Sequence, residues 1–399
     1  MNNTTKYNTD RIKLLVKGLI PSVLSIFLPK KRERIIFNST TNTFYDFNSK
    51  YLFEYFLEHY PEYEVRFVIN DHKKREKLNQ LFGMENRYFI ETESIRGMVY
   101  ALRAYSWVCS AFETPVGGVG LRANRFVYHL GHGTHFKAIV FNENALSFIK
   151  KVYYFIIRYN FTRYLTTSQA LIPTYKQAYK CDEKRLIVIG EPRNDIILSP
   201  KEEVFARAFG AKRSEETDLL YAPTWRPDSG SRLFPFDDMD WETFVSFLEE
   251  QQINIYLRMH PSFPEDLSQY TSRTHRIRVL DNDVIEDISE ILGMFDMLIT
   301  DYSSIYINYL LLDRPVLFLP YDLDTYQKKM GFIRPYHELT PGPKPESMAQ
   351  FIENISAMKR TPSLYSDERR KVSAFFNDYT DGMLEANAQY ILDTIHKHK

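Results

Sequence analysis

Residues 297–322 read MLITDYSSIYINYLLLDRPVLFLPYD, and this stretch decides the fold class. A short apolar run, MLIT, precedes the polar DYSS, an apolar stretch of helical length and a second β-rich run, VLFL. Strand, helix and strand in this order form the repeating unit of a parallel sheet. Polar residues follow both runs, where the carboxyl ends of parallel strands leave a crevice for ligands. The stretch therefore predicts an α/β fold with a binding site after its strands.

The same alternation of short β-rich runs with helical patterns extends over most of the chain. The predicted strands are 34–37, 64–69, 107–110, 125–130, 164–167 and 185–189, and then 219–222, 254–259, 276–280, 297–300 and 316–319. A chain of 399 residues exceeds the ~250 to 300 residues of a single core. We therefore predict a membrane-associating segment at 1–33, a Rossmann-like acceptor domain at 34–200, and a Rossmann-like donor domain at 201–399 that includes the C-terminal helices.

Composition excludes several classes of protein. Lys plus Arg and Asp plus Glu both number 51, whereas a dedicated nucleic-acid binder carries a basic excess. Two cysteines exclude a disulfide framework and a cysteine-rich metal site. This cysteine content fits a reducing, cytoplasmic setting.

The first 33 residues predict a helix lying in a membrane interface. Apolar residues recur there at helical spacing, and six basic residues without an acidic one occur from Arg11 to Arg32. The basic residues proposed to face anionic lipid are Lys13, Lys17, Lys30 and Lys31. A second aromatic and basic stretch, 148–164, has a similar pattern. Both fit peripheral attachment to the inner leaflet, on the cytoplasmic face, and the alternative is a core helix with a solvated basic face.

Five polar clusters follow predicted strands and are expected to converge on one cleft. They are HGTHFK at 132–137, PTWR at 223–226, HP at 260–261, DYSS at 301–304 and PYD at 320–322. In DYSS, Asp301 or Ser303 is expected to cap a helix whose free N–H groups bind phosphate, with the hydroxyls of Ser303 and Ser304 as further donors. The alternative is that these are ordinary helix caps.

His132 is the candidate general base, because a near-neutral imidazole can take the proton of an attacking hydroxyl. It lies in a glycine-rich turn, where a substrate can approach the backbone. The alternative is a turn histidine satisfied by the backbone. His129 and His135 lie nearby, but no local carboxylate completes a metal site, so no metal is predicted there. Because an isolated Asp301 is not a metal site by itself, a need for Mg²⁺ stays open.

In the second half, Arg258 and His260 of RMHP are suited to neutralise charge on a transferring phosphoryl group. Arg226 is expected to help, and Arg193 and Asn194 follow the last strand of the first half. The alternative for each arginine is a surface salt bridge.

The motifs HGTHFK, GEPRND, YAPTWR, RMHP, ITDYSS and RPVLFLPYDLDTYQKKMGF, with PGP at 341–343, resemble in this order the CDP-glycerol glycerophosphotransferases, the teichoic-acid primases and polymerases. The resemblance covers roughly residues 125–345. It implies a two-domain glycosyltransferase B (GT-B) architecture and attack of an acceptor hydroxyl on the β-phosphorus of CDP-glycerol or CDP-ribitol, with release of CMP. The acceptor would be a polyprenyl-diphosphate-linked glycan.

The resemblance also implies roles for individual residues. His132 becomes the base and His260 a phosphate-stabilising catalytic residue. The donor-binding set is Asp301, Ser303, Ser304, Thr224, Arg226, Arg258, Arg193 and Asn194, and the acceptor-binding set is Gly133, Thr134 and Lys137.

The first motif departs from the family pattern, which often has Trp before HGT and Pro-Leu after it, where this chain has Gly131 and then His135 and Phe136. Acceptor identity is therefore the least determined element. Two rival functions remain: a nucleotide-sugar glycosyltransferase of the same architecture, and a non-catalytic membrane adaptor. The adaptor is expected to lack one of the two histidines.

Overall fold

The computed structural model describes residues 18–144, 146–224, 226, 230–259, 266–281 and 284–397. The predicted residues Lys13, Lys17 and His260 lie outside the described residues. The chain forms two compact units. Unit 1 comprises the residues up to Thr134, then Ala138–Asp195 and the residues from Asn377 onward. Unit 2 comprises His135–Lys137 and Ile196–Phe376.

The described strands form two entirely parallel sheets, one in each unit. The strands are β1 Lys31–Asn38, β2 Glu64–Val68, β3 Phe89–Ile90, β4 Ala104–Cys109, β5 Phe126–His129, β6 Arg163–Thr166, β7 Leu186–Val188, β8 Thr217–Tyr221, β9 Ile253–Leu257, β10 Ile277–Val279, β11 Met297–Thr300 and β12 Val316–Phe318. The order is β3-β2-β1-β4-β5-β6-β7 in unit 1 and β10-β9-β8-β11-β12 in unit 2. In each order the chain reverses direction across the sheet, as in doubly wound folds.

Helices connect the strands. They are α1 Leu19–Phe27, α2 Phe47–His59, α3 His72–Phe82, α4 Ile95–Leu102, α5 Phe148–Ile157, α6 Ile172–Tyr179, α7 Arg193–Leu198, α8 Glu202–Phe209, α9 Trp241–Glu250, α10 Ser268–Thr271, α11 Ile305–Tyr309, α12 Leu323–Lys329, α13 Tyr336–Leu339, α14 Met348–Arg360, α15 Ser366–Phe376 and α16 Met383–Lys397. The predicted α/β fold with two parallel sheets is confirmed. Each predicted strand corresponds to an observed one, whereas β3 was missed because two residues carry no periodic signal.

The C-terminal boundary differs from the sequence-based division, which assigned α16 to the second domain. Ala388, Ile391, Leu392 and Ile395 of α16 are buried in the core of unit 1, together with Ile35 and other residues of its strands. Burial of this apolar face stabilises the packing of α16 on the first sheet. The gain in free energy is about 0.8 kcal/mol for each buried methylene group. The hydrophobic pattern of a helix reveals that one face is buried, but not which sheet covers it.

Helix α1 packs with its polar side inward. Ser22 Oγ accepts from the amide of Val119 at 2.7 Å, and Ser25 Oγ accepts from Nη1 of the buried Arg125 at 3.3 Å. Five apolar residues of the same helix face outward: Leu19, Ile20, Val23, Ile26 and Phe27 are 57 to 78% exposed. No described helix is long and apolar enough to cross a membrane.

Lys30 has a different role from the predicted lipid contact. Its Nζ donates to the carbonyls of Ser25 at 2.6 Å and Leu28 at 2.9 Å, and so closes the C-terminal end of α1. Desolvation, with the charge of Arg125, lowers the pKa of Lys30 to about 8. Lys31 is the first residue of β1.

Candidate active site

The carboxyl edge of the first sheet carries His132, three residues after the end of β5. Its Nδ1 lies 3.2 Å from the carbonyl oxygen of Ser110, which follows β4. A carbonyl only accepts, so Nδ1 carries the proton and Nε2 is left as a lone-pair acceptor. His132 is exposed to solvent. The ring is therefore oriented, accessible and able to take a proton.

The pKa of His132 lies below its ordinary value of 6.5. Desolvation by the dense surrounding protein is the largest cause, and the charge of Arg193 lowers the pKa further. The hydrogen bond with Ser110 and the charges of Glu113 and Glu191 oppose this shift without reversing it. The imidazole is consequently neutral at pH 7, as a general base requires.

A buried polar network supports the turn that presents His132. Asn48 Nδ2 donates to the carbonyl of Gly131 at 2.9 Å and to Oε1 of Glu191 at 3.2 Å. Arg193 Nη2 pairs with Oε2 of Glu191 at 3.1 Å, and Glu191 is only 2% exposed. Neither residue is among the predicted site residues: Asn48 belongs to no local motif, and Glu191 lies within the GEPRND motif but was not singled out.

The turn needs its glycines and sits beside a strained residue. Gly131 and Gly133 have φ values of +72° and +153°, which side chains rarely adopt. Phe47, at the start of α2, has a φ of +56°, and its ring centroid lies 5.4 Å from that of His132. A bulky residue in the left-handed region is uncommon, and such strain concentrates at functional sites.

The other predicted residues of this unit are buried near the same edge. Thr134 Oγ1 lies 3.3 Å from Oγ1 of Thr167, after β6. Asn194 is fully buried, and its backbone N–H donates to the backbone carbonyl of Glu191 at 2.9 Å. Arg193 is engaged by Glu191. It stays a prediction that Arg193 and Asn194 contact the donor. The same holds for contact of Gly133 and Thr134 with the acceptor.

At the carboxyl edge of the second sheet, Arg226 is the organising residue. Its Nε and Nη2 each lie 2.7 Å from the carboxylate oxygens of Asp322, after β12. Nη2 also lies 2.9 Å from Oδ2 of Asp301, after β11. Burial alone would lower the pKa of Arg226, but the hydrogen bond of Asp322 and the charge of Asp301 raise it above the ordinary value. The guanidinium is permanently charged and joins two strand ends.

Asp301 does not cap the following helix, contrary to the sequence-based expectation. Its Oδ1 accepts from the amides of Thr224 at 2.7 Å and Tyr302 at 2.5 Å, which ties the end of β8 to that of β11. The residue before α11 is Ser304, not Ser303, and no side chain caps the helix. Tertiary pairing with Arg226 and Thr224 satisfies the carboxylate more fully than a local cap would.

The half-buried Ser303 and Ser304 fit the predicted phosphate role better than Asp301 does. Within the described residues neither hydroxyl takes part in a hydrogen bond, so both are available as donors. Helix α11 has only five residues, so its dipole is smaller than that of a long helix. The hydroxyl of Thr224 is also buried without a hydrogen-bond partner in the described part of the chain.

The guanidinium of Arg258 binds backbone carbonyls of the loop after β10. Its Nη1 donates to the carbonyls of Leu280 at 3.1 Å and Ile285 at 2.8 Å, and its Nη2 to that of Glu286 at 3.2 Å. Desolvation lowers the pKa of this guanidinium to about 10, and Asp287 and Asp281 oppose the shift. Three carbonyls occupy its terminal donors, so direct contact of Arg258 with a donor stays a prediction.

Lys137 belongs to unit 2, although it follows the histidine turn in the sequence. It forms an antiparallel bridge with Phe332, and the neighbouring Phe136 packs against Phe332, Tyr306 and Tyr336. Desolvation is the main cause of the lowered pKa of Lys137; the charge of Asp301 raises it and that of Arg226 lowers it. The charges of Asp301 and Arg226 therefore act on Lys137 within unit 2.

The carboxylates of this edge do not suit a resident magnesium ion. Asp301 and Asp322 are both neutralised by Arg226. Among the described residues, no group of three His, Cys, Asp or Glu side chains comes together as a metal site.

Comparisons place this arrangement among known proteins. The family model described as CDP-glycerol:poly(glycerophosphate) glycerophosphotransferase matches residues 21–397. A teichoic acid poly(glycerol phosphate) polymerase of Staphylococcus epidermidis is 28% identical over 390 residues, which is 92% of this chain and 51% of that protein. A teichoic acid glycerol-phosphate transferase of Staphylococcus aureus is 26% identical over 405 residues, 97% of this chain and 99% of the relative.

A solved structure of the wall teichoic acid polymerase TagF superposes with a TM-score of 0.75 at 24% identity, covering 92% of this chain and 90% of that one. This likeness concerns the fold. The chain spans about half the length of the first curated relatives it matches. The family match runs through both parallel sheets and the histidine, arginine and serine clusters at their carboxyl edges. On that evidence the chain belongs to the CDP-glycerol:poly(glycerophosphate) glycerophosphotransferase family.

Proposed function

We propose that this chain transfers glycerol phosphate, or a related polyol phosphate such as ribitol phosphate, from a CDP-activated donor to a lipid-linked glycan, with release of CMP. The product would serve teichoic-acid or capsule-type polymer synthesis. Family membership and the names of the relatives support the reaction class. The observation that carries the proposal is the state of His132, a neutral and accessible imidazole whose Nε2 is left as an acceptor.

The chemistry follows from that lone pair. The acceptor hydroxyl donates to Nε2 of His132, which takes the proton as the oxygen attacks the β-phosphorus of the donor. A bond forms between the acceptor oxygen and the phosphorus. The bond from that phosphorus to the bridging oxygen breaks, and CMP leaves with the electron pair. Catalysis of this step depends on positioning and on compensation of spreading negative charge.

The second unit supplies groups for that compensation. We assign the donor phosphates to the hydroxyls of Ser303 and Ser304 and to the amides that open α11. Arg226 acts as a positioning residue, because Asp322 and Asp301 engage its guanidinium and it holds the ends of β11 and β12. His260 is proposed as a further phosphate-stabilising residue on the family resemblance alone.

Replacement of the base tests the reaction. We expect His132→Ala to lower the rate of CMP release from CDP-glycerol by about 10²-fold or more, the typical contribution of general-base catalysis. His59→Ala changes an exposed histidine of the same unit and serves as the control. A His132→Ala protein that turns over CDP-glycerol at the parent rate would refute the assigned role.

A nucleotide-sugar glycosyltransferase is the second candidate, because such enzymes share paired Rossmann-like domains. The leaving group separates the two functions. Incubation with several CDP-polyols and with nucleotide sugars, on synthetic lipid-linked disaccharides, should release CMP from the former only. Release of a nucleoside diphosphate from a sugar donor, without turnover of any CDP-polyol, would favour the second candidate.

We further propose peripheral attachment to the cytoplasmic face of the membrane. The support is the inverted packing of α1, whose serines face the protein and whose five apolar side chains face solvent. Helix α5 likewise exposes Phe148, Ile149, Val152 and Phe155. Both helices are tied to the same loop, since Val119 bonds to Ser22, and Asn160, just after α5, donates to the carbonyl of Gly118 at 2.9 Å.

A further inference from the structure

A wide groove lies at the amino edge of the first sheet, the edge opposite His132. Arg163 opens β6, and Arg185 directly precedes β7. The groove encloses about 1210 Å³ and is lined by seven basic and two acidic side chains. This volume exceeds the ~300 to 1,000 Å³ of pockets that enclose one small ligand. Its size and charge suggest an extended anionic ligand.

Four half-buried arginines form the floor of the groove. They are Arg122, Arg158, Arg163 and Arg185. Backbone carbonyls hold them in place: Arg158 Nη1 donates to Lys180 at 2.8 Å and Arg185 Nε to Thr162 at 3.3 Å. Throughout the described residues, no carboxylate forms an ion pair with any of the four. The positive charge of the floor is thus ordered but not neutralised.

Like charges within this floor repel one another at Arg122. Desolvation is the main cause of its lowered pKa, and the charges of Arg185 and Arg158 lower the pKa further. Like charges held together in a folded protein are destabilising unless an anion compensates them. An anionic ligand in the groove would remove this repulsion.

Exposed lysines extend the charge along the rim. Lys180 and Lys184 are exposed, whereas Lys176 is paired with Glu183 at 3.1 Å. Tyr159 adds an exposed aromatic wall, with the guanidinium of Arg122 5.5 Å from its ring centroid. Cations are therefore spread over floor and rim, which matches a ligand with several phosphates better than one with a single phosphate.

We propose that this groove is a second binding site, distinct from the transfer site, that holds the phosphodiester backbone of a polyol-phosphate chain. The assignment of polyol phosphate as the repeating unit rests on the proposed function. A repeating phosphodiester presents one negative charge for each unit, so several units can pair with the guanidinium and ammonium groups of the groove. Such a site would retain the product while further units are added.

Binding of a soluble oligomer tests the site. The probe is a fluorescent glycerol phosphate hexamer without lipid, and the anisotropy of the probe with the full chain gives the Kd. Lys180→Gln/Lys184→Gln removes two exposed charges, and Arg122→Gln removes one from the floor. Because each variant removes hydrogen bonds between a charged group and phosphate, we expect each to weaken binding about tenfold or more. The Kd should also rise with salt concentration.

Lys73→Gln/Lys77→Gln removes two exposed lysines of α3 and is the matched control. Equal Kd values for the rim variant, the floor variant and this control would overturn the proposal. A second arm uses phosphatidylglycerol vesicles without oligomer. If the groove variants lose vesicle binding but keep hexamer binding, the groove binds lipid headgroups and the chain proposal is wrong.

A third measurement separates this inference from the proposed function. Release of CMP with a single-addition acceptor should be unchanged in the groove variants, because none of these residues lies at the edge that carries His132. If the parent protein releases no CMP from any CDP-polyol, the proposed function fails. Hexamer binding that depends on Arg122, Lys180 and Lys184 would then still support a phosphodiester site.

Discussion

Arg226 illustrates how one buried side chain can hold the ends of two strands together. It pairs with Asp322 and Asp301, and Tyr302 donates from its hydroxyl to Asp322 at 2.9 Å. The guanidinium also lies 4.4 Å from the ring centroid of Tyr321. Removing one partner of a buried ion pair leaves a buried charge without compensation, which is far costlier than the loss of an exposed pair.

We therefore expect Arg226→Met to destabilise unit 2 by about 3 to 5 kcal/mol. The exposed pair of Arg232 and Asp237 provides the control, since Arg232→Met should cost less than about 1 kcal/mol. Hydrogen exchange of the amides of β11 and β12 measures both effects in the same unit. Equal loss of protection in the two variants would contradict the organising role of Arg226.

The pH dependence of transfer should report the environment of His132. Its lowered pKa predicts that kcat/KM falls on the acid side, as the base becomes protonated, with a midpoint below pH 6.5. Arg193→Gln removes a positive charge that lowers this pKa, and it removes the ion pair of Glu191, whose negative charge raises the pKa. We expect the acid limb of the profile to move to higher pH. A limb unchanged in Arg193→Gln would exclude His132 as the titrating group.

At this scale the sequence predicted positions better than partners. His132 and the two serines could be placed at a carboxyl edge because their motifs follow strands. The pairing of Asp301 with Thr224, 77 residues earlier, and with Arg226 could not be predicted, because it joins the ends of different strands of the second sheet. Local rules for helix capping favour Asp301 as a cap, and only the fold shows that a tertiary partner replaces that local interaction.

At the scale of elements, α1 departs from an ordinary surface helix. Such a helix buries its apolar stripe, whereas α1 exposes it and hydrogen-bonds its serines to the protein. The sequence pattern identified the two faces and left a core helix open as the alternative, whereas in the structure the apolar face is exposed. It also assigned Lys30 to lipid, although a lysine just after a helix can equally bind the last carbonyls, as it does here.

The exposed stripe yields a direct prediction. Val23→Glu/Phe27→Glu places two charges on the outward face of α1 and should abolish binding to phosphatidylglycerol vesicles, because each large apolar side chain contributes about 1.5 to 3 kcal/mol when buried. The matched control is Leu81→Glu/Met84→Glu, which changes two exposed apolar residues elsewhere in unit 1. Equal co-sedimentation of the two double variants would count against the membrane proposal.

At the scale of the whole molecule, each unit is discontinuous in sequence. The tripeptide His135–Lys137 belongs to unit 2, and α16 belongs to unit 1. The order of strands and helices predicted two parallel sheets, because each βαβ unit is local. The order of elements could not predict which unit α16 joins, because amphipathic helices of either unit present similar apolar faces.

Substitutions in the two cores should act on different units. Ile391 of α16 and Ile355 of α14 are both fully buried, in the first and second core respectively. Truncation of either to Ala should cost about 2 to 5 kcal/mol through lost burial and a cavity. We expect Ile391→Ala to lower hydrogen-exchange protection in β1 and β5, and Ile355→Ala in β8 and β9. Loss of protection in unit 2 on Ile391→Ala would contradict the assignment of α16.

The position of α16 has a consequence for biosynthesis. Arg32, in β1, donates to the carbonyl of Ile395, which the ribosome adds 363 residues later. At about 5 to 20 residues per second, the start of β1 waits roughly 20 to 70 seconds for the helix that covers it. Until α16 is made, the apolar surface that it covers is open to chaperones or to another nascent chain, and every strand of unit 2 is synthesised before α16.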